Sequence, residues 1–289
     1  MDERLVDWLS CPTCGSLPLQ TEGESRSDGE IGAGSLVCAS CDGVYRIENG
    51  IPFLLPPTLR QLVRSRQTQA TPDEFTGYRT EQTPAVGRLV EKLGRSATVV
   101  LDLGSGRAPY LPFLSGDVIC LDIFPEFLRD LPRTIDDRVR VHPICASATH
   151  VPLRPGVADL VLASELIEHL EPEAARRALE EWPRLANQWC VVDTPNGREA
   201  DWLTRVRHLA YGTKTLTDAE HPNLPELDHH STFSPEDFRA AGYRCHGCIG
   251  WVSRKRFPLG PLWDVYDAVA WRLPAVGGTL VAVSPGRAA

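Results

Sequence analysis

The sequence predicts an α/β protein, a mostly parallel sheet with flanking helices, preceded by a small metal-binding ribbon. Three observations carry this. From Val86 onward, apolar runs of strand length alternate with helical stretches, the pattern of a layered α/β domain. A glycine turn, Asp102-Leu103-Gly104-Ser105-Gly106, follows the first of those runs. Two Cys-x-x-Cys pairs, Cys11/Cys14 and Cys38/Cys41, stand near the N-terminus, well before the alternation begins.

The chain has 289 residues, enough for two domains at roughly 150 residues each. Hydrophobic residues at 42% and charged residues at 24% lie near the globular average and exclude a disordered, collagenous or coiled-coil chain. A formal charge of -8 provides no built-in attraction to polyphosphates or anionic bilayers. Met1-Asp2-Glu3-Arg4 is acidic and lacks a secretory apolar stretch, and no later apolar run reaches the roughly 18 to 20 residues of a spanning helix. The expectation is a cytoplasmic protein with no membrane partner.

Nine cysteines are too few for a disulfide scaffold at this length. In a reducing compartment the paired spacing favours a tetrahedral thiolate site, because a two-residue gap lets a tight turn aim both sulfurs at one ion. Cys11, Cys14, Cys38 and Cys41 are therefore read as ligands of a structural zinc, with a redox pair or unrelated buried thiols as the alternatives. Thr21 to Ser35 reads as a loop between the pairs. Cys120, Cys145 and Cys190 lie singly in apolar runs and are expected to pack as small hydrophobes.

The residues around the four cysteines carry more. Leu5-Val6-Asp7-Trp8-Leu9-Ser10 leads into Cys11, and Gly43-Val44-Tyr45-Arg46-Ile47-Glu48-Asn49-Gly50-Ile51-Pro52 follows Cys41. This pattern resembles the zinc-ribbon domain known as an activator of translation-related methyltransferases, over roughly residues 1–57. The resemblance implies a structural role or a protein partner, since four thiolates leave no open coordination position. So small a core depends on zinc for much of its folding free energy. Residues 58–84 turn to Gln, Thr, Arg and Pro and read as a linker or ordered lid, with Gly77-Tyr78-Arg79 as surface connection or, alternatively, a ligand contact. The second domain then spans 85–289.

Within it, a helix through Val86–Leu93 leads to a strand at Ala97–Leu101 and the glycine turn. A second strand, Val118–Leu121, ends at Asp122, a third begins at Val139–Val141, and Ala158–Leu162 and Trp189–Val192 form two more. Gly242–Val252 and Gly277–Val283, separated by an amphipathic Leu262–Arg272 helix, supply the last two. The glycines let the chain turn sharply and let a cofactor lie against bare backbone at the carboxyl edge of the sheet. A nicotinamide fingerprint wants a third glycine where Pro109 stands.

By contrast, Asp102-x-Gly104-x-Gly106, the acid at Asp122 and Glu168-His169-Leu170 after strand four resemble a class I S-adenosylmethionine-dependent methyltransferase, over about residues 84–289. The fold implied is a Rossmann-like sheet behind the zinc ribbon. The resemblance implies that Asp102, Gly104, Ser105 and Gly106 border the methionine end of the cofactor, with Glu165 nearby. Asp122 would hold the ribose and Ile123 would flank adenine. Ala108 replaces the usual third glycine, and Ser147 stands where many relatives place an aspartate that accepts from the adenine amino group.

The sulfonium supplies the electrophile, so the protein has to align a nucleophile and manage its proton. Glu165, Glu168 and His169 fall at i,i+3 and i,i+4, so a helical turn after strand four is expected to gather them. His229 and His230 lie just before a helix that Ser234 caps and Pro235 begins. Glu-x-x-Glu-His with a later His is similar to the divalent-metal site of small-RNA terminal 2'-O-methyltransferases and of some quinone-ring O-methyltransferases. That resemblance implies Mg²⁺, Mn²⁺ or Fe²⁺ on Glu165, Glu168, His169 and His230, lowering the pKa of a bound hydroxyl. The alternative is a metal-free site with His169 or His230 as base. Cys245/Cys248 reads as structural, because i and i+3 project to opposite faces of a strand. Asp193-Thr194-Pro195-Asn196-Gly197 either lines the acceptor pocket or forms an ordinary turn.

Three functional readings follow. The first is O-methylation of a hydroxylated small molecule, saccharide or natural-product intermediate. The second is methylation of ribosomal or transfer RNA, against which the net charge of -8 counts. Its clearest basic groups are Arg60/Arg64/Arg66 and Arg254/Lys255/Arg256. The third is a non-enzymatic interaction protein built on the ribbon, with a degenerate methyltransferase fold.

Overall fold

A computed structural model describes residues 1–25, 29–69, 83–197, 228–249 and 260–287. The N-terminal unit is an antiparallel sheet of four strands in sequence order, β1 (Gln20–Ser25), β2 (Ile31–Val37), β3 (Val44–Glu48) and β4 (Ile51–Pro52). Along β3 the side chains alternate, with Tyr45 and Ile47 buried and Val44 and Glu48 exposed, as a strand with one covered face requires. Asn49 and Gly50, at φ 52° and 71°, join β3 to β4, the Asn-Gly pair that a two-residue hairpin with both φ positive selects. Much of the expected loop between the cysteine pairs is thus the β1/β2 hairpin.

Residues 57–69, most of which composition assigned to a linker, form helix α1 (Pro57–Gln69). Arg, Gln and Leu are good helix formers, so a polar composition here does not mean an open chain. Val63 is buried, and Arg60 lays its guanidinium 4.7 Å from the Tyr45 ring centroid while Nε donates to the Leu55 carbonyl at 2.9 Å. Gly77-Tyr78-Arg79 and Arg254/Lys255/Arg256 lie outside the described residues.

The larger unit starts with α2 (Pro84–Gly94) and builds one eight-stranded mixed sheet. Its strands are β5 (Val99–Leu103), β6 (Gly116–Asp122), β7 (Thr134–Ile135), β8 (Val139–Cys145), β9 (Ala158–Ser164), β10 (Ala186–Pro195), β11 (Arg244–Cys248) and β12 (Thr279–Pro285). The order is β11-β12-β10-β9-β5-β6-β8-β7, parallel from β10 to β8, with β7, β12 and β11 antiparallel at the edges. The central strands read as continuous apolar runs because both faces are covered. Helices α3 (Pro125–Arg129), α4 (Pro172–Glu181), α5 (Pro235–Ala240) and α6 (Gly260–Ala270) complete the unit. After β8 the chain crosses to β9 on the other side of β5, so the strand order reverses between β5 and β9. The crevice outside their carboxyl ends is where open α/β sheets bind ligands.

The ribbon docks on this sheet through backbone as well as side chains. Strand β7 covers only the start of β8, and Phe53 bridges Cys145 at its far end, with Leu54 N–H donating to the Cys145 carbonyl at 2.8 Å. Leu9 bridges Leu153, and Ser10 N–H donates to the Pro152 carbonyl at 2.9 Å. Leu9, Leu36, Tyr45 and Leu54 belong to the same buried cluster as Leu101, Ile119 and Val161. Among the described residues, no helix is long and apolar enough to cross a membrane.

Candidate functional site

The four ribbon cysteines converge. Cys11 and Cys41 sulfurs lie 3.6 Å apart, as do those of Cys14 and Cys38, and all four fall within 4.8 Å of one another. Tetrahedral zinc with Zn–S of about 2.3 Å sets its sulfurs about 3.8 Å apart, so the spacing fits that ion. Tyr45 backs the cluster, its hydroxyl 3.1 Å from Cys11 Sγ and 2.8 Å from Thr13 Oγ1. The Tyr-x-Ile of the sequence pattern thus supplies both core and a partner for the cysteine site.

At the sheet's carboxyl edge, β5 delivers Asp102 and the glycine turn. Gly104 has φ +60°, and a Cβ there would fall 2.5 Å from Leu166 Cδ1. Gly106 has φ +51° with open space where a Cβ would point, which leaves bare backbone for a ligand. Ala108, the departure from a third glycine, is held at φ 49° at a cost of about 1 kcal/mol. Asp122, at the end of β6, ties the turn together. Its Oδ2 accepts Gly106 N–H at 2.9 Å and its Oδ1 accepts Phe124 N–H at 2.8 Å. Burial pushes the Asp122 carboxyl up to about 6 against the pull of those N–H donors. Burial, then the charge of Asp122, pushes Asp102 up to about 8.

Ile123 follows, half-buried, and the loop after β8 passes beside it, with Ala146 N–H donating to the Asp122 carbonyl at 2.9 Å. Ser147, buried in that loop, has its hydroxyl 2.8 Å from Thr149 Oγ1. Ser105 is also buried, its N–H on the Leu121 carbonyl at 3.0 Å. The residues assigned to the cofactor therefore line one edge, from the turn after β5 to the loop after β8.

The acceptor side differs in detail from expectation. Only Ile167–His169 forms a 3₁₀ turn; Glu165 sits before it at φ +47°, its N–H on the Asp193 carbonyl at 2.9 Å. The left-handed conformation costs a non-glycine residue about 1–2 kcal/mol, so the surrounding structure imposes it. Glu165 is thus off the helical turn, with its carboxyl beside Glu168 and Asp193. Glu168 is 2% exposed, accepts Thr194 Oγ1–H on Oε2 at 2.9 Å and leaves Oε1 without a hydrogen bond. His169 Nδ1 lies 3.1 Å from the Asp228 carbonyl, an acceptor only, so Nδ1 carries the proton and Nε2 the lone pair.

The histidine that joins them is His229. Its ring meets His169 edge-on with centroids 4.9 Å apart, and ligand atoms of Glu168, His169 and His229 all lie within 4.8 Å of one another. His230, placed with Glu165, Glu168 and His169 on sequence grounds, instead directs Nδ1 to within 3.8 Å of Glu171 Oε1. Backbone decides this, because His230 and Ser231 N–H both donate to the Glu168 carbonyl, at 2.8 and 2.9 Å.

Asp193, which the sequence offered only within a segment that either lines the acceptor pocket or forms a turn, is an acid at a strand's carboxyl end, the same signal that marks Asp122. It is fully buried beside Glu165 and Ser164, and neither oxygen completes a hydrogen bond. Burial pushes Glu165 up to about 7, and burial with the charge of Glu165 pushes Glu168 and Asp193 well above the carboxylate range. Tyr110, whose hydroxyl lies 3.2 Å from Ser164 Oγ, also lines this acidic end. The arrangement joins a bare-backbone cradle to a cluster of acids and imidazoles that needs cations or protons.

Residues 101–188 match the methyltransferase domain model, and residues 2–50 match the Trm112p-like protein model. None of the curated proteins matches the chain. Among solved structures it is similar to a SAM dependent methyltransferase from Archaeoglobus fulgidus, at 15% identity and TM-score 0.41 over 70% of this chain and 93% of that one. It is similar to a complex containing the Haloferax volcanii Trm112 methyltransferase activator, at 16% identity and TM-score 0.42 over 76% and 99%. It is also similar to magnesium protoporphyrin IX methyltransferase from Synechocystis PCC 6803 with bound SAH, at 10% identity and TM-score 0.48 over 78% and 100%. Residues 101–188 thus carry a methyltransferase domain, and residues 2–50 a Trm112p-like ribbon.

Proposed function

We propose that the enzyme methylates a hydroxyl oxygen of a small molecule or saccharide, assisted by a divalent cation on Glu168, His169 and His229. The convergence of those three carries the reading, together with the buried, orphaned Oε1 of Glu168. One carboxylate and two imidazoles with open positions suit Mn²⁺ or Fe²⁺ better than Mg²⁺, which prefers oxygen ligands. A bound cation lowers the pKa of an acceptor hydroxyl, and S-adenosylmethionine supplies an electrophilic methyl.

The chain's own residues do the rest. Gly104 and Gly106 offer bare backbone to the donor, and Asp122, fixed by two N–H groups, is assigned its ribose. The Asp228 carbonyl sets the tautomer of His169, so that Nε2 is its basic nitrogen. Glu165 and Asp193, whose carboxyls burial holds protonated in the empty site, are placed to ionise beside a cationic sulfonium. Arg60 spends its guanidinium on Tyr45 and Leu55, which subtracts it from the basic group an RNA substrate would use. The protein partner expected of the ribbon has exposed Leu17 and Val44 to meet.

The test is methyl transfer from labelled S-adenosylmethionine to a panel of hydroxylated acceptors, before and after chelation. The expected result is loss of activity with EDTA, restoration by Mn²⁺ or Fe²⁺, and a drop of about 10²-fold in His229→Ala but not in His230→Ala. A rate indifferent to chelation, with cofactor binding intact, removes the metal; methylation confined to amine acceptors removes the oxygen.

A further inference from the structure

Ser147 sits at the far end of the cofactor edge and is held by two neighbours. Asp122, at the end of β6, pairs with Cys145 at the end of β8, the next strand out from the glycine turn. A nucleoside that starts on Gly104 and Gly106 and sets its ribose on Asp122 extends its base past Ile123 toward the residues after Cys145. Ala146 N–H is already committed to the Asp122 carbonyl, so Ser147, 7% exposed, is the first side chain there with a polar oxygen to offer.

Its hydroxyl belongs to a short relay. Ser147 Oγ accepts the Thr149 N–H at 3.2 Å and lies 2.8 Å from Thr149 Oγ1, which in turn lies 2.9 Å from Nδ1 of exposed His150. Thr149 has one hydroxyl proton for two neighbours, so the relay runs one of two ways. If His150 donates, Thr149 donates on to Ser147, and the Ser147 proton is left without an acceptor among the described residues. If Ser147 donates to Thr149 and Thr149 to His150, every hydroxyl proton has an acceptor and the ring proton sits on Nε2. A buried donor left unpaired is rarer and costlier than a spare lone pair, which selects the second direction. Ser147 Oγ is then an acceptor only, with one lone pair free.

We propose that Thr149 and His150 are positioning residues that lock the Ser147 hydroxyl as an acceptor for an amino group on the cofactor's base, so that the site selects a 6-amino over a 6-oxo purine. The inference rests on the reading of this edge as the cofactor's. A serine free to rotate donates to an oxo group as readily as it accepts from an amino group. Locked, it meets an oxo group lone pair to lone pair.

Calorimetry of the full chain with S-adenosylhomocysteine and with S-inosylhomocysteine, which carries an oxo group in place of the amino group, tests this without turnover. The wild-type chain is expected to bind the adenosyl compound at least about tenfold more tightly. Thr149→Val keeps the side-chain shape and removes the relay, which brings the ratio to about twofold or less by tightening the inosyl compound rather than weakening both. His150→Ala, at an exposed ring, narrows the ratio in the same direction with the melting temperature held. Equal binding of the two compounds by wild type, or a ratio that neither variant moves, overturns the proposal and leaves the cofactor edge standing. Binding of neither compound overturns both.

Discussion

The chain holds two clusters of ligating side chains, and they are built on opposite terms. In the ribbon, four sulfurs face one another at tetrahedral spacing, so every donor is committed and no position is left for chemistry. At the sheet edge, Glu168, His169 and His229 supply three donors on a gradient from buried to exposed, beside acids whose oxygens lack partners. The first cluster holds the fold together. The second is a local instability that the fold tolerates, because buried Glu168 and Asp193 and half-buried Glu165 repel one another as carboxylates until a cation or proton joins them. Stability and activity should therefore respond to the two clusters with opposite signs.

The largest expected effect is at Cys38. Cys38→Ser removes a buried ligand, and loss of zinc is expected to cost at least about 3 kcal/mol. Because Leu36, Tyr45 and Leu54 share a core cluster with Leu101 and Ile119, melting followed by circular dichroism should stay a single transition, shifted as a whole. Two separate transitions would show that the seam does not couple ribbon and sheet. Glu168→Gln should reverse the sign. It replaces a buried, half-satisfied carboxyl whose ionisation burial and Glu165 oppose, so the metal-free variant is expected to be as stable as wild type or more so, by about 1 kcal/mol, while methyl transfer falls about 10²-fold or more. A variant that loses both stability and activity makes Glu168 a structural residue.

The two clusters also differ in how far sequence discloses them. The cysteines are local: two pairs, each on one tight turn, need no tertiary information to be assigned. Asp102, Gly104, Gly106 and Asp122 are almost as local, since one strand-turn unit and the next strand's end bring them together. The acceptor site is not. Glu165 leaves the expected helical turn because β9 pairs with β10, setting Ser164 against Asp193 and its own N–H on the Asp193 carbonyl. His229 replaces His230 because two backbone N–H groups fasten the loop to Glu168. Neither event is written in side-chain spacing. Helix α1 shows the converse failure, where Arg and Gln read as solvent-loving linker although they are also good helix formers.

Titration should separate the clusters with smaller effect. Asp122, Glu165 and Asp102 have carboxyls raised to about 6, 7 and 8, whereas in an unfolded chain such groups ionise near 4. Between those values the folded state holds protons that the unfolded state has released, so their contribution is full below about pH 4 and is lost as pH rises through 8. The ribbon runs the other way, because its thiolates protonate and release zinc as pH falls. Thermal melts of zinc-loaded protein without added Mn²⁺ or Fe²⁺ are therefore expected to show a maximum at mildly acidic pH and a decline toward pH 8. Mn²⁺ should flatten that decline. A melting temperature that climbs steadily to pH 8 would contradict the carboxylate assignment.

The smallest expected effect lies at the seam. Arg4 Nη2 reaches Asp2 Oδ2 at 2.9 Å and Asp117 Oδ1 at 3.2 Å, which draws the ribbon's first turn onto β6. With the Arg4 side chain 51% exposed, water and salt screen both pairs, so Arg4→Ala should cost no more than about 1 kcal/mol, and less at high ionic strength. The seam has stronger ties. Leu54 N–H on Cys145, Ser10 N–H on Pro152 and Arg154 N–H on Trp8 carry backbone pairing across it, over apolar side chains that salt does not screen. Melts of Arg4→Ala at low and high salt decide the matter. A loss approaching that of Cys38→Ser, vanishing in salt, would make the seam electrostatic and would mean that the ribbon can be released from the sheet without removing its zinc.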